Sequence, residues 1–362
     1  MLYFLSLTRK CNLKCRYCGE GSSITVKRQE IFDSNIQAVI DFLSNDPEPI
    51  IAFYGGEPLL KRPLMYEVMD RLPDAKFLLQ TNGLLLDKVN TNYLNSMDTI
   101  LVSIDGPQQI TDFNRGTGTF VAIRKSIMNI INRGFKGDLI ARMTISHKGE
   151  IYRDVNYLLN MNSPKFNHVH WQLDAIWGDL DAWNGFDTWV NAQYNPGITK
   201  LIQDWVERIK TYGRVPGIVP FTAIMNNLLA DSIIELHCGA GIDAFAIHTN
   251  GKIYACPVCP EFEDFIVGDV RKSQPMDIYR SKLIKEPCIG CDVYSVCGGR
   301  CLFANYHNYW GEGFKSVCST VKHLITELKG VKPEILKLIN QGVISRNDFE
   351  YPSFNNTCEI IP

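Results

Sequence analysis

The 362-residue chain has few features that would tie it to a membrane or to nucleic acid. Its 37 basic and 39 acidic residues give a net charge of −2, without the clustered basic field that phosphate binding requires. The apolar run at the amino terminus is too short for a signal peptide, and no apolar run is long enough to span a membrane. We therefore expect a cytoplasmic protein with neither a nucleic-acid nor a membrane partner. In that compartment metal binding explains the 12 cysteines better than the alternative, disulfides.

Three cysteines near the amino terminus, Cys11, Cys15 and Cys18, form the motif CxxxCxxC. This motif supplies three thiolates to a cubic iron–sulfur cluster, so one iron keeps an open position that can hold a substrate. A structural zinc site is the alternative. Because no Cys or His lies between Cys18 and His147, a zinc ion would need a distant fourth ligand.

The first half of the chain alternates strand-length apolar runs with amphipathic stretches. Six such runs occupy residues 2–7, 50–54, 76–81, 99–104, 139–145 and 168–176. Apolar residues between them recur at helical spacing, as in Ile123, Ile127, Ile130 and Ile131. Six strand–helix units predict an α/β fold in which a parallel sheet curls into a partial (β/α)6 barrel, open at one side. That opening would admit a substrate larger than a metabolite.

The loops that follow the first four predicted strands carry distinctive residues. They contain the cysteine motif, GGEP at 55–58, TNG at 81–83 and SIDGP at 103–107. In parallel α/β folds these loops form the site, where glycines let the backbone approach a ligand and Glu57 offers a carboxylate for an ammonium group. Taken singly, each of the three later motifs is also an ordinary turn.

The cysteine motif after the first strand, GGEP after the second and SIDG after the fourth resemble the radical S-adenosylmethionine (SAM) enzymes. The resemblance covers roughly residues 1–180. It implies a [4Fe–4S] cluster on Cys11, Cys15 and Cys18, with SAM chelating the open iron. One electron from the cluster would cleave SAM to a 5′-deoxyadenosyl radical, which abstracts a hydrogen atom from an unactivated carbon. Oxygen sensitivity follows from an exposed cluster.

The same resemblance implies a set of SAM contacts. They are Tyr17, Gly55, Gly56, Glu57, Ser103, Asp105, Arg142 and Leu173. Gly55, Gly56 and Glu57 would contact the methionyl amino group, and Tyr17 would lie near the adenine. Two contacts have plain structural alternatives, because Arg142 would also suit a salt bridge at the barrel rim and Leu173 would also suit the core.

Seven cysteines in the last third of the chain match the pattern of the SPASM domain, found in radical SAM enzymes that modify peptides and proteins. They read Cx12Gx4C, then Cx2Cx5Cx3C, then a last cysteine after sixteen residues. The resemblance implies two auxiliary [4Fe–4S] clusters, three in all. Cys238, Cys256 and Cys301 would bind the first auxiliary cluster. Cys288, Cys291, Cys297 and Cys318 would bind the second, here called the outer cluster. A pair of zinc ribbons is the alternative.

The first auxiliary cluster needs a fourth ligand, for which the sequence offers three solutions. Cys259, three residues after Cys256, is the preferred one. A substrate sulfur on an open iron is the second. Cys358 in the tail is the third, although a free thiol suits a chain terminus better.

The predicted domains are a radical SAM barrel at 1–180, a bridging region at 181–237, a SPASM domain at 238–320 and a helical extension with a tail at 321–362. The bridging region is rich in aromatic residues, which suit either peptide binding or packing of a linker helix. Because the barrel begins at residue 2, we expect no leader-recognition domain ahead of it. A separate protein or the barrel mouth would bind a leader, and reduced flavodoxin or ferredoxin would donate electrons.

We predict a radical SAM oxidoreductase that modifies a peptide or protein side chain, by a crosslink of the kind found in ribosomal peptides or by oxidation. Formylglycine formation, as in sulfatase-maturing enzymes, is the first alternative. It is disfavoured because those enzymes resemble each other in an Asp base where this chain has Pro257. Glu261, Glu263 and Asp264 could supply a base, although a solvated acidic turn is the preferred explanation of these residues. Maturation of a redox cofactor and a non-catalytic iron–sulfur electron carrier are the remaining alternatives.

Overall fold

The computed structural model describes residues 1–18, 32–174, 185–258, 262–307 and 313–355. Their strands form a nine-stranded sheet in the order β6-β5-β4-β3-β2-β1-β7-β8-β9. The strands are β1 (Leu2–Thr8), β2 (Ile50–Gly55), β3 (Lys76–Thr81), β4 (Thr99–Ser103), β5 (Asp138–Ile145), β6 (His168–Leu173), β7 (Ala244–Ile247), β8 (Lys252–Tyr254) and β9 (Ile266–Asp269). Because β6 and β9 end the order, the sheet is not closed, and the predicted open α/β barrel fold is confirmed.

The first strand lies inside the sheet and fixes where its neighbours end. All seven residues of β1 are buried, as expected of a parallel strand that is covered on both faces. It pairs in parallel with β2 and β7, and β2 and β3 continue the parallel pairing to β4. The carboxyl ends of β1, β2 and β3 therefore lie at one edge, where the cysteine, GGEP and TNG loops begin.

Helices follow most of the strands. Within the described residues they are α1 (Phe32–Ser44), α2 (Arg62–Arg71), α3 (Thr91–Asn95), α4 (Gln108–Arg115), α5 (Thr119–Asn132), α6 (Ile151–Leu159), α7 (Phe186–Trp189), α8 (Asn195–Tyr212), α9 (Val219–Ala230), α10 (Pro275–Ile278), α11 (Tyr294–Cys297), α12 (Leu302–His307) and α13 (Gly313–Asn340). On α5 the predicted apolar face is buried at Ile123, Ile127 and Ile130. Ile131 lies beside that face and is 36% exposed.

Three strands in the cysteine-rich region, β7 to β9, were not predicted. β7 lies beside β1, with Leu2 opposite Ala244 and Leu5 opposite Ile247. β8 returns antiparallel, with Tyr254 opposite Ala246. Cys256 is two residues beyond Tyr254, so it lies near the level of the amino-terminal end of β1, whereas the cysteine loop follows the opposite end of that strand.

Residue contacts divide the chain into two compact units. The first contains residues 1–104, 111–140 and 239–283, and the second contains residues 105–110, 141–238 and 284–362. Each unit combines stretches that are distant in sequence. The predicted domain boundaries, which are contiguous in sequence, stay a prediction.

Aromatic side chains form the core of the second unit. Trp205 packs edge-on against Phe221, as does Trp171, whose Nε1 donates a hydrogen bond of 2.9 Å to the Tyr194 hydroxyl. Trp189 stacks on Tyr194. For the buried aromatics of the predicted bridging region, packing is therefore the observed role. The second unit also contains one continuous helix, α13, which includes the first part of the predicted helical extension.

Among the described residues, no helix combines the length and the apolar character that crossing a membrane requires.

Candidate active site

The front cysteines occupy the loop that leaves β1. Cys11 and Cys18 are exposed and Cys15 is half-buried, so the thiols of this loop are accessible. The Cys11 sulfur accepts a hydrogen bond of 3.4 Å from the Leu13 amide. Burial raises the Cys11 pKa, and the nearby Cys18 thiol raises it further, while the Leu13 donor lowers it. The two sulfurs are thus close enough to interact electrostatically.

Residues at the carboxyl end of α4 contact this loop, and no local sequence pattern predicted these contacts. Arg16 donates a hydrogen bond of 2.7 Å from Nε to the Phe113 carbonyl and lies 4.4 Å from the centre of the Phe113 ring. Its amide donates to the Asn114 carbonyl at 2.9 Å. The Arg115 guanidinium lies 5.4 Å from the centre of the Tyr17 ring. Both aromatic contacts are cation–π interactions that hold the middle of the loop.

The GGEP loop packs directly against the cysteine loop. The Gly56 amide donates to the Thr8 carbonyl at 2.8 Å, and the Glu57 amide donates to the Lys10 carbonyl at 2.9 Å. A Cβ on Gly55 would lie 2.2 Å from the Thr8 oxygen, and one on Gly56 would lie 2.4 Å from the Lys10 oxygen. The observed reason for both glycines is therefore close approach to the cysteine loop; their predicted contact with SAM is untested.

The Glu57 side chain is fully buried in the first unit. Its Oε1 accepts hydrogen bonds from the Leu59 amide at 3.0 Å and the Thr81 hydroxyl at 2.8 Å. Its Oε2 accepts from the Asn82 amide at 2.8 Å. Burial raises the pKa of this carboxyl, against the opposing effect of the three hydrogen bonds. The carboxylate joins the GGEP and TNG loops, and ammonium binding by it stays a prediction.

Asn82, in the TNG loop, connects that loop to the front cysteines. Its Nδ2 donates to Asn12 Oδ1 at 2.7 Å and lies 3.7 Å from the Cys11 sulfur. Its Oδ1 accepts from the Leu84 amide at 3.1 Å, which fixes the orientation of the amide group. The sequence marked this loop as part of the rim, and the structure adds a polar contact to a predicted cluster ligand.

Four other predicted SAM contacts belong to the next three strands. Ser103, Arg142 and Leu173 lie within β4, β5 and β6, and Asp105 lies two residues after β4. Ser103 is half-buried in the first unit. In the second unit Asp105 is fully buried, and its Oδ1 accepts a hydrogen bond of 3.0 Å from the Thr144 amide. Arg142 is buried and its Nη1 contacts His170 Nδ1, so the salt-bridge alternative does not describe this contact. Leu173 is buried, in agreement with its core-packing alternative.

Asp174 is a titratable residue of this region that the sequence did not single out. It follows β6 in the second unit, and its amide donates to the Ile145 carbonyl at 3.0 Å. Burial raises the Asp174 pKa to about 7, and the negative charge of Asp105 contributes to the rise. This carboxyl therefore changes charge near neutral pH. Asp174 lies inside the predicted strand 168–176, where an acidic residue in an apolar run was a usable signal.

The four cysteines assigned to the outer cluster all belong to the second unit. Burial raises the pKa of Cys297 to about 12 and that of Cys318 to about 11, and each is raised further by neighbouring thiols of the set. Cys318 interacts electrostatically with Cys288 and Cys291 as well as with Cys297. Binding of a metal group by these cysteines as thiolates requires loss of the thiol protons.

Both thiol sets fit iron–sulfur clusters. Cys11, Cys18, Cys288, Cys291, Cys297 and Cys318 are free thiols in this structure, as ligands of a cluster must be. Within the described ranges, no three side chains of His, Cys, Asp or Glu are arranged to share one metal ion. A tetrahedral zinc site needs such a group, whereas each thiolate of a cubic cluster binds a different iron. The hydrogen bonds to Cys11 suit a sulfur that carries negative charge.

The remaining predicted site residues are only partly described. Cys259, Glu261 and Cys358 lie outside the described residues. Glu263 and Asp264 are exposed on a short 3-10 turn, Glu263–Phe265, and Asp264 lies 3.6 Å from the Lys282 ammonium. These two carboxylates fit the solvated-turn alternative.

Comparison with known proteins gives a family assignment. Residues 5–161 match the radical SAM superfamily model. The chain is 34% identical over 325 residues to the AdoMet-dependent heme synthase of Methanosarcina barkeri, covering 81% of this chain and 88% of the relative. It is 25% identical over 328 residues to the mycofactocin maturase MftC of Mycobacterium tuberculosis, covering 83% and 78%. The chain belongs to the radical SAM superfamily.

A solved structure shares the fold. Native anSMEcpe with bound AdoMet and a peptide matches with a TM-score of 0.63 at 17% identity, covering 92% of this chain and 99% of that one. Family membership makes this protein an enzyme that uses a [4Fe–4S] cluster and SAM.

Proposed function

We propose that this enzyme cleaves SAM reductively and modifies a side chain of a peptide or protein, by forming a crosslink or by oxidation. The observation that carries the proposal is the accessible CxxxCxxC loop, held in place by the GGEP and TNG loops. The peptide substrate is supported by the peptide bound in the similar anSMEcpe structure and by a sheet that is not closed. A target larger than a metabolite fits such an opening.

The chain's own residues position the cluster loop. When bound, the cluster supplies the electron that cleaves SAM and so yields the radical that abstracts hydrogen. The amides of Gly56 and Glu57 hold the start of the loop, and Arg16 holds its middle. Asn82 and Leu13 direct donors at the Cys11 sulfur, which stabilises its thiolate form. A fixed loop keeps the reacting groups in register, because small misplacements cost large factors in rate.

The SAM contacts proposed from the family resemblance are supported by their positions. Tyr17 lies in the cluster loop, and Gly55 and Gly56 lie against it. Asp105 and Leu173 lie at the carboxyl ends of β4 and β6, where ligands bind in parallel α/β folds. For Glu57 we propose an indirect role: the carboxylate orders the loops, and the backbone around it faces SAM.

Three clusters are proposed, with two auxiliary clusters on the seven carboxyl-terminal cysteines. We assign Cys259 as the fourth ligand of the first auxiliary cluster, ahead of Cys358 or a substrate sulfur. In a Cys259→Ala protein, iron content should fall and the auxiliary-cluster spectrum should change. Full iron with an unchanged spectrum would exclude Cys259 as a ligand.

The proposed partners are reduced flavodoxin or ferredoxin as electron donor and, for a substrate with a leader, a separate leader-recognition protein. Each is tested by asking whether its addition replaces dithionite or raises turnover of a leader-containing peptide.

Reductive SAM cleavage tests the enzymatic step. Protein purified without oxygen, reconstituted and given dithionite and SAM should form 5′-deoxyadenosine. Cys18→Ser is the matched control, because it removes one thiol of the front set and leaves the carboxyl-terminal set intact. Absence of 5′-deoxyadenosine from fully loaded wild-type protein would contradict the proposal, and SAM binding by calorimetry separates it from an electron carrier.

The substrate class needs a second test. A small cysteine-rich peptide encoded beside the gene should change mass in a SAM-dependent way. The 34% identity to a heme synthase favours a carboxylated iron porphyrin as the second candidate. Absorbance and mass changes of the porphyrin, with no change in the peptide, would favour that candidate.

A further inference from the structure

Two polar side chains adjoin the outer-cluster cysteines within the second unit. They are Asn305 on α12 and Arg300, which directly precedes Cys301. Both are only 5% exposed. Neither belongs to the seven-cysteine pattern, so their burial beside this thiol set calls for an explanation.

Asn305 is fixed in place and directs a donor at a cluster thiol. Its Nδ2 lies 3.3 Å from the Cys288 sulfur and 2.9 Å from the Lys285 carbonyl, to both of which it donates. Its Oδ1 accepts from the Lys285 amide at 3.0 Å. The two contacts with the Lys285 backbone distinguish the nitrogen of the Asn305 amide from its oxygen. The group that faces the Cys288 sulfur is therefore the NH2 donor.

Arg300 carries a buried positive charge on an unfavourable backbone. Its φ is +50°, and it follows Gly298 at +66° and Gly299 at +93°. A left-handed conformation is readily available to glycine and costly for a residue with a Cβ. The Arg300 amide donates to the Cys297 carbonyl at 3.5 Å and Cys301 is the next residue, so the buried guanidinium belongs to the cysteine segment of the second unit. An arginine at this position therefore indicates a role for its side chain.

We propose that Asn305 and Arg300 are positioning residues that raise the reduction potential of the outer cluster. On reduction the cluster gains one electron from a donor such as flavodoxin, ferredoxin or dithionite, and no bond forms or breaks. The added negative charge spreads onto the sulfurs, where the Asn305 donor and the Arg300 charge stabilise it. Hydrogen bonds to sulfur and local net charge are two of the factors that set such potentials.

A surface cation provides the comparison. The Lys322 ammonium forms a 2.6 Å ion pair with Asp292, and its side chain is 47% exposed. The same Asp292 carboxylate accepts a hydrogen bond of 3.3 Å from the Cys291 thiol, so the Lys322 charge lies close to the thiol set. Because solvent and its own carboxylate screen it, its effect on the potential should be small.

The test measures midpoint potentials by redox titration followed by EPR. All variants are made in a background with Cys11, Cys15 and Cys18 changed to Ala, which removes the front cluster signal. One auxiliary midpoint potential should fall in Arg300→Gln, and the same potential should fall in Asn305→Asp. The expected fall is at least about 59 mV for one electron, which is a tenfold decrease in the equilibrium constant for reduction. Arg300→Lys should retain most of the wild-type potential, and Lys322→Met should leave it unchanged.

Two results would overturn the inference. One is an unchanged potential in both Arg300→Gln and Asn305→Asp at normal iron content. The other is an equal fall in Lys322→Met, which would assign the effect to general surface charge. Should Arg300→Gln fail to fold, Asn305→Asp decides, since it keeps the acceptor for the Lys285 amide and removes the donor to Cys288.

This inference rests on the proposed ligand set, and a further variant separates the two. Normal iron content in Cys288→Ala would refute the ligand assignment itself. Loss of iron there, with unchanged potentials in the Arg300 and Asn305 variants, would refute only the tuning.

Discussion

Replacing Gly56 with alanine should disable the cysteine loop without changing any thiol. The added Cβ would lie 2.4 Å from the Lys10 oxygen and 2.7 Å from the Arg9 oxygen, both backbone atoms. The loops must move apart, at an overpacking cost of about 1–3 kcal/mol. Loss of the 2.9 Å bond from the Glu57 amide to the Lys10 carbonyl adds about 1 kcal/mol. The expected destabilisation is about 2–4 kcal/mol, a large part of the roughly 5–15 kcal/mol of a typical domain.

The assay combines urea unfolding with formation of 5′-deoxyadenosine in the reconstituted protein. A shift of about 1 Å in a positioned group lowers rates by about 100-fold, so SAM cleavage should fall at least that far. The spectrum of the proposed auxiliary clusters should remain, since the steric conflict is confined to the front loop. Near-wild-type stability and SAM cleavage in Gly56→Ala would refute this account of the GGEP motif.

Gly330→Ala is the matched control. Gly330 lies inside α13, and a Cβ there meets no atom within 4 Å. Because alanine favours a helix interior by up to about 1 kcal/mol over glycine, this variant should be slightly more stable and fully active. A loss of activity in both variants would indicate a general intolerance of substitution.

Three further predictions concern charged and titratable groups. Glu57→Gln should lower the free energy of unfolding by about 1–3 kcal/mol with or without SAM, because the Glu57 carboxylate joins two loops. The control Glu67→Gln, at a side chain that is 44% exposed, should leave the free energy of unfolding unchanged. An effect of Glu57→Gln on SAM affinity alone would contradict the role of Glu57 in joining the loops. Burial lowers the pKa of His248 to about 3, so the unfolded state binds the extra proton and stability falls as pH drops below about 6.5. Between pH 7.5 and 5.5 the change in the free energy of unfolding, measured with urea, should differ by about 1.4 kcal/mol between the wild type and His248→Gln, because other titrating groups contribute equally to both; the same pH dependence in the two proteins would contradict the assignment. Glu263→Gln combined with Asp264→Asn should leave product formation unchanged, and abolished turnover of substrate would restore them as candidate bases.

The six barrel strands were predictable because a buried strand leaves a continuous apolar run in the sequence. A strand covered on both faces is apolar along nearly its whole length, as LYFLSL at residues 2–7 is. The runs forming β7 to β9 are only three or four residues long and lie among cysteines and glycines. The pairing of β7 with β1 joins segments some 240 residues apart, a relation that local periodicity does not contain.

The candidate site also has a part that the sequence predicts and a part that it does not. Thiol spacing is local, so the sequence predicts both the front and the carboxyl-terminal sets. The side-chain donors that reach those thiols come from elsewhere in the chain: Asn82 is 71 residues from Cys11, and Asn305 is 17 residues from Cys288. Glu57 was noticed for its charge, yet its burial and its three donors depend on how the second and third strands end.

Cys256 lies near the amino-terminal end of β1, and the cysteine loop follows the carboxyl end of that strand. This separation limits how one peptide could reach both places. The register places Cys256 near Ala244 and Leu2, six residues before Thr8, where the cysteine loop begins. At about 3.3 Å per residue those two levels lie roughly 20 Å apart. A peptide whose sulfur bound an auxiliary iron at Cys256 while its reacting carbon lay at the front cluster would need about six extended residues between the two groups. Crosslinks between neighbouring residues would then require the sulfur to be released from that iron before the bond forms.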